Sequence, residues 1–159
     1  MPKVATTPDF LQRLATVEQQ LAELRRSGWE RDEVPFYPTS LRGLVYEDGT
    51  AFTTLWETII SPRTATLAMG LVLIGDQVGT TNTGGAWQVL LDGVVAASGT
   101  VAPTFQFQFA TLSLDLTPYR AATSLKVEFQ VRRTSGATTG GKYGAGGSIG
   151  GALRYARLL

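Results

Sequence analysis

Apolar residues near the start of the chain repeat with the period of a helix. Their positions alternate in steps of four and three residues: Phe10, Leu14, Val17, Leu21 and Leu24. This spacing forms the seam of a coiled coil, with Leu14 and Leu21 at one core position of the heptad and the others at the second. Thr7 and Pro8 are typical of a helix start, and Gly28 of a helix end. The pattern predicts an oligomerising helix within residues 1–28.

From residue 41 the period changes to two. Leu125, Val127, Phe129 and Val131 alternate with polar residues, as in a strand with one buried face and one wet face. The same alternation is expected for the phenylalanines at 105, 107 and 109 and for the leucines at 112, 114 and 116.

Further strands are expected over residues 51–60, 64–74 and 152–158. Asp92-Gly93 lies between two more, over 86–91 and 94–97, and predicts a tight hairpin. About eight or nine short strands favour a mainly β fold. The prediction is an antiparallel β-sandwich, jelly-roll-like, over residues 41–159.

Residues 29–40 have neither period. Pro35 and Pro38 force extended backbone, so the segment is expected to be a stiff linker. Trp29, Phe36 and Tyr37 are too apolar for a free tether, which indicates that the linker lies along a subunit surface.

The helix has a second interpretation, in which it packs on its own domain. Its apolar stripe is narrow, which favours self-association over burial against a globule. In a parallel pairing Arg13 would face Glu18 of the next chain, an attractive contact. The seam residues do not select between two and three strands.

The composition excludes several kinds of chemistry. The chain has no histidine and no cysteine, so zinc sites of the usual kind, Ser-His or Cys-His catalysis and disulfides are excluded. The net charge is +1 with no basic stripe, which argues against nucleic acid. The longest apolar run, 67–74, is too short for a membrane span, and residues 1–7 lack a signal-peptide core. No cofactor and no membrane insertion are expected.

The glycine-rich segment 136–151 has the spacing of a phosphate-binding loop up to Lys142. Tyr143 replaces the hydroxyl residue that such a loop needs for magnesium, and no helix can follow. A loop that becomes ordered on contact is expected here instead, with Lys142 and Tyr143 as candidate contacts to a neighbour or ligand. The alternative is a loop that packs on its own domain.

Carboxylates and aromatic residues supply the other candidate chemistry. Glu47, Asp48, Glu57 and Asp76 could be paired for hydrolysis, and Asp76 with Asn82 for calcium. Turn and surface roles account for each of them, so no catalytic residue and no metal site is predicted.

A sugar platform could be drawn from five aromatic residues: Trp56, Trp87, Tyr119, Tyr143 and Tyr155. Trp87 shares its parity with Val89 and Leu91, which favours the core. Tyr143 and Tyr155 are therefore the candidates for exposed ligand contacts.

Several stretches together resemble the small minor tail or tail-fibre-like proteins of tailed phages that infect actinobacteria. They are the capped heptad helix, the linker, and residues 55–64, 75–89 and 133–159. The resemblance implies a homo-oligomer, trimeric by preference, with other tail or capsid proteins as partners. Residues 114–119 and 125–131 are also similar to the late strands of galactose-binding-like jelly rolls, which implies a topology.

The leading hypothesis is a non-enzymatic virion structural protein, made in the bacterial host cytoplasm and attached to a tail or capsid. Its sandwich would project outward and take part in host attachment. The alternative is a carbohydrate-binding module for a surface glycan. A hydrolase is a third class, for which the sequence displays no acid–base pair.

Overall fold

The computed structural model describes residues 14–20, 44–136 and 147–159. Contacts divide the chain into two compact units, Met1–Glu33 and Val34–Leu159. In the first unit residues 14–20 form a helix in which Leu14 and Val17 are exposed. The other three seam positions, Phe10, Leu21 and Leu24, lie outside the described residues, so the coiled coil stays a prediction. No helix among the described residues is long and apolar enough to cross a membrane.

The second unit is mainly β and antiparallel. Its strands are β1 (Val45–Glu47), β2 (Thr53–Ile60), β3 (Thr66–Gly75), β4 (Gln77–Val78), β5 (Thr81–Asn82), β6 (Gly84–Leu91), β7 (Val94–Val101), β8 (Gln108–Asp115), β9 (Leu125–Ser135) and β10 (Ile149–Leu158). A short 3-10 turn, Thr117–Tyr119, follows β8.

Two four-stranded sheets face each other. Sheet A has the order β1-β10-β3-β8 and sheet B the order β2-β9-β6-β7, while β4 and β5 form a separate small hairpin. The sandwich confirms the coarse fold prediction. The chain changes sheets after β1, β2, β3, β7, β8 and β9, and the last strand lies beside the first.

The core lies between the sheets and contains the predicted alternation. Leu125, Val127, Phe129 and Val131 of β9 are at most 3% exposed, and their polar neighbours in sequence face outward. Trp87 is 6% exposed, as its parity with Val89 and Leu91 predicted. Burying each large apolar side chain contributes about 1.5–3 kcal/mol to folding.

Strand β8 corrects one expectation. The phenylalanines at 105, 107 and 109 were expected to share a buried face, but Phe107 is 39% and Phe109 58% exposed. The reason is parity. Residues 108–115 form one strand, in which side chains alternate between the two faces of the sheet. Leu114, at an even position, points into the core, so Phe109, at an odd position, points away from it.

The hairpin between β6 and β7 has the predicted turn. Asp92 and Gly93 both have positive φ, 47° and 80°, as a two-residue type I′ turn requires. The turn is tied to the neighbouring strand, because Asp92 N–H donates to Lys126 O and Asp92 Oδ1 accepts from Lys126 N–H. The predicted turn residue therefore also fixes the start of β9.

The final strand begins at Ile149, three residues before the expected start, so the end of the glycine-rich segment is strand and not loop. Gly151 faces the core, where a Cβ would lie 2.8 Å from the Phe129 ring. Gly150 faces outward, where a Cβ would lie 2.9 Å from the Tyr46 ring. Both positions carry rings close to the backbone, which only glycine allows.

Candidate functional site on the outer face of sheet A

The outer face of sheet A is apolar near its edge strand β1. Val72 and Ile74 point away from the main core, yet they are only 1% and 2% exposed. They form a second apolar cluster with Leu44 and Ala152, on which Tyr46 and Phe105 pack. This half of the face is therefore covered by the chain itself.

The other half of the face carries four residues that we call the aromatic–arginine patch: Phe109, Arg154, Tyr155 and Arg157. Tyr155 pairs with Gly70 of β3, and its ring lies so close over Gly70 that no Cβ would fit there. The glycine thus provides a flat floor that lets the ring lie against the sheet.

A β-bulge sets the direction of the first arginine. Arg154 is the extra residue where the register of β10 against β3 shifts, between Leu153 and Tyr155. Bulges re-aim side chains in this way. The Arg154 guanidinium reaches across β3 to lie 5.6 Å from the centre of the Phe109 ring on β8.

The second arginine belongs to the same strand. The Arg157 guanidinium lies 5.6 Å from the centre of the Tyr155 ring. Stacking of a guanidinium over an exposed ring stabilises the pair by about 0.5–1 kcal/mol. The patch is thus a row of two rings and two cations across β8, β3 and β10.

Neutral and acidic groups border the patch on β8. Thr111 and Ser113 are exposed at the same parity as Phe109. Asp115 follows at the end of the strand, where its carboxylate accepts the Thr117 N–H at 2.8 Å. Hydrogen bonding by the Thr117 side chain and backbone lowers the pKa of Asp115, so it is an anion at neutral pH.

A concave feature lies between the sheets. Trp56, Met69, Phe129, Leu153 and Ala156 are among the residues that line an apolar cleft with about 350 Å³ of unfilled space, part of it open to solvent. The indole N–H of Trp56 donates to the backbone oxygen of β10 at Gly151, 3.2 Å away. The polar end of the tryptophan is therefore already used, and the cleft suits apolar groups.

The outer face of sheet B differs in kind from that of sheet A. Lys126 contacts Glu57 at 2.9 Å and Glu128 at 3.2 Å. Gln88 donates to Gln130 at 2.7 Å, and Gln130 donates to the Thr54 hydroxyl at 3.0 Å. These side chains satisfy one another, as expected for a solvated sheet face.

The comparisons with known proteins add a distant likeness. No family model matches this chain, and no curated protein is significantly similar to it. A solved structure, that of a family 35 carbohydrate binding module from an environmental isolate, is similar at 12% identity and a TM-score of 0.31. The match covers 81% of this chain and 94% of that one. Because the identity and the TM-score are low, this likeness carries no argument about function.

The structure describes some, but not all, of the contact residues predicted from the sequence. Tyr155 lies in the patch, half-buried, whereas Lys142 and Tyr143 lie outside the described residues. Tyr119 packs against the main core, and Trp56 lines the cleft. Sequence reasoning missed the patch members Phe109, Arg154 and Arg157.

The sequence did contain a signal for the exposure of Phe109. Phe109 lies at an odd position and Leu112 and Leu114 at even positions, so in one continuous strand they would face opposite sides. No comparable signal existed for Arg154, because a bulge interrupts the alternation of β10. Its contact with Phe109 also joins two residues that are far apart in the chain.

Two of the candidate carboxylates, Glu57 and Asp76, have structural surroundings that the structure describes. Glu57 is held in its ion pair with Lys126, and Asp76 is buried at the base of the β4–β5 hairpin, where Thr83 N–H donates to its backbone oxygen. Asn82 is the cross-strand partner of Gln77, so it shares the side of Gln77, and Asp76 precedes Gln77 at the opposite parity. The described ranges contain no group of three or more His, Cys, Asp or Glu residues that could hold a metal.

Proposed function

We propose that the chain is a non-enzymatic attachment subunit that binds a surface carbohydrate through the aromatic–arginine patch. The observation that carries the proposal is the patch itself: two rings, Phe109 and Tyr155, each with an arginine stacked on it. A sugar ring has an apolar C–H face and a rim of hydroxyl groups. An aromatic face packs on the first, and guanidinium N–H groups donate to the second.

The position of the patch supports the same proposal. Its residues stand on strands and on a glycine floor, so the rings are held in place before a ligand arrives. A rigid surface of this kind loses little conformational entropy on binding. In the cleft beside Trp56, by contrast, the indole N–H is already bonded to the Gly151 oxygen, and most of the lining is apolar.

Assembly is the second part of the proposal. Copies of the chain would associate through the N-terminal helix, in which Leu14 and Val17 are exposed. The sequence resemblance implies that this oligomer is part of a virion. The jelly-roll-like sandwich would then be displayed on a phage tail or capsid. A trimer is the stoichiometry preferred on that resemblance.

Binding of the full chain to an immobilised oligosaccharide array tests the carbohydrate part. Phe109→Ala and Tyr155→Ala should each reduce the signal at least about tenfold, which corresponds to about 1.4 kcal/mol. Phe52→Ala is the matched control, because Phe52 also carries a stacked arginine, Arg132 at 4.6 Å, outside the patch. Equal loss in all three variants, or no binding by the wild type, would contradict the proposal.

Phe109→Ala and a helix variant, Leu14→Asp, test a second candidate function, in which the patch is a contact between subunits. Exposed aromatic residues and arginines are also typical of protein interfaces, and Phe109 is 58% exposed. Light scattering decides. Dissociation of the oligomer by Phe109→Ala would favour the subunit contact, and dissociation by Leu14→Asp alone would favour the helix as the assembly element.

A further inference from the structure

One side of the sandwich is open between the edge strands of the two sheets. In sheet B this edge is β2, and in sheet A it is β1. Strand β1 is short, however, and pairs only with residues 149–151 of β10. Among the described residues, no strand lies beside the outer edge of β10 over residues 152–158. Proteins generally cover such an edge, because its backbone groups would otherwise pair with another chain.

The apolar cleft lies at this open side. Leu153 and Ala156 of β10 line it from one sheet, and Trp56 and Ile60 of β2 line it from the other. Its unfilled space of about 350 Å³, part of it open to solvent, suits one or two side chains and not a folded partner. Filling it with an apolar side chain would remove apolar surface of both sheets from water, which is favourable.

The direction of β1 determines which part of the chain is nearest to the cleft. Strand β1 is antiparallel to β10, and Val45 pairs with Gly151. The preceding residue, Leu44, belongs to the same apolar cluster as Ala152. Continued in this register, the pairing would place Gly43 opposite Leu153, the first cleft residue of β10. The direction of β1 therefore points the preceding segment, residues 39–43, toward the uncovered edge. This segment lies outside the described residues.

The sequence of this segment offers an apolar side chain at the parity of the cleft. Leu44 and Tyr46 pack in the cluster on the outer face of sheet A, so odd-numbered positions of the same strand face sheet B. Gly43 has the inward parity but no side chain. Leu41 is the next residue of that parity, and it is apolar. An extension of β1 would therefore direct Leu41 toward the space between the sheets.

We infer that residues 39–43 of the same chain extend β1 along the outer edge of β10 and place Leu41 in the cleft. The added strand pairs with backbone groups of β10, as in the addition of a peptide strand to an exposed sheet edge. Direct connection to β1 gives this segment a much higher effective concentration at the edge than a separate peptide has. The inference does not depend on the proposed function, because the cleft lies inside the sandwich and the patch lies on the outer face of sheet A.

Cysteine pairs in the full-length chain test the docking, since the chain has no cysteine of its own. Leu41→Cys is combined with Ala156→Cys, whose side chain lines the cleft. In the control pair it is combined with Ile59→Cys, because Ile59 is 71% exposed on the neighbouring strand β2. In a glutathione redox buffer, the cleft pair should form a disulfide within one chain with an effective concentration at least about tenfold higher than that of the control pair.

Amide hydrogen exchange gives a second measurement that needs no cysteine. In the wild type, the outer-edge amides of residues 153–158 should exchange at least about tenfold more slowly than those of the outer edge of β2. Leu41→Asp should abolish this difference, because a carboxylate does not enter an apolar cleft. Ser40→Asp is the matched control and should preserve it, since position 40 has the opposite parity. Protected amides in β9 verify that each variant is folded.

The possible results either support the docking or overturn it. Equal disulfide formation in the cleft and control pairs would overturn it, as would rapid exchange of the outer-edge amides of β10 in the wild type. Unchanged exchange in Leu41→Asp would show that Leu41 is not the docked side chain. Disulfides between chains, in a yield that rises with protein concentration, would overturn the assignment to the same chain and indicate that a second copy supplies the strand.

Discussion

Strand β8 provides the sharpest test of which residues face the core and which form the patch. Leu114 and Phe109 lie on the same strand at opposite parity, and they are 4% and 58% exposed. Replacing each by alanine therefore removes apolar surface from two different environments. The difference between the losses in the free energy of unfolding caused by the two substitutions tests directly which residue faces the core.

For Leu114→Ala the structure implies a large loss. Truncating a buried leucine costs about 2–5 kcal/mol, the lost transfer energy plus the cavity that remains. Taking about 3 kcal/mol, and about 4 °C per kcal/mol for a domain near this size, Tm should fall by about 12 °C. Phe109→Ala removes a ring that is already more than half in water, together with its contact to Arg154. Its cost should be about 1 kcal/mol.

Urea unfolding followed by tryptophan fluorescence gives both values, since Trp87 is buried in the core and reports its loss. Thr111→Ala, an exposed position of the same strand, is the control and should change the free energy of unfolding by less than about 0.5 kcal/mol. If Phe109→Ala costs as much as Leu114→Ala, then Phe109 is a core residue. The assignment of the patch would then be wrong.

Three further substitutions test other parts of the sandwich. Gly151→Val should lower the free energy of unfolding by about 1–3 kcal/mol in urea titrations, because even a Cβ would lie 2.8 Å from the Phe129 ring. An unchanged urea midpoint would show that the two sheets are farther apart. Gly93→Ala should cost about 1 kcal/mol in the same assay through backbone strain alone, since φ is 80° and nothing lies within 4 Å of the new Cβ; a neutral result would contradict the turn type. Hydrogen bonds to Glu57 and Glu128 raise the pKa of Lys126 above 10.5, so its stabilisation is complete below that pH and is lost as the pH rises through the folded value. The urea midpoint should decline less steeply above pH 10.5 in Lys126→Gln than in the wild type, and parallel declines would argue against the ion pairs.

The sequence by itself determined the elements whose pattern is local. Alternation alone identified β9 and its buried face, from Leu125 to Val131. The Asp92-Gly93 dipeptide identified the hairpin, because few residues tolerate positive φ at both turn positions. Antiparallel sandwich architecture followed from many short amphipathic strands and turn residues, without any knowledge of which strands pair.

Only the tertiary structure decided what occupies the outer face of sheet A. The patch depends on the strand order β10-β3-β8. This order brings Arg154 over the Phe109 ring, although 44 residues lie between the two in the sequence. It depends also on a bulge in β10 that re-aims one arginine, and on Gly70 beneath the Tyr155 ring. None of these features leaves a periodic trace, because each arises from contacts between strands. Periodicity reports the environment of one strand, whereas a binding surface is made by several strands that pairing energy brings together.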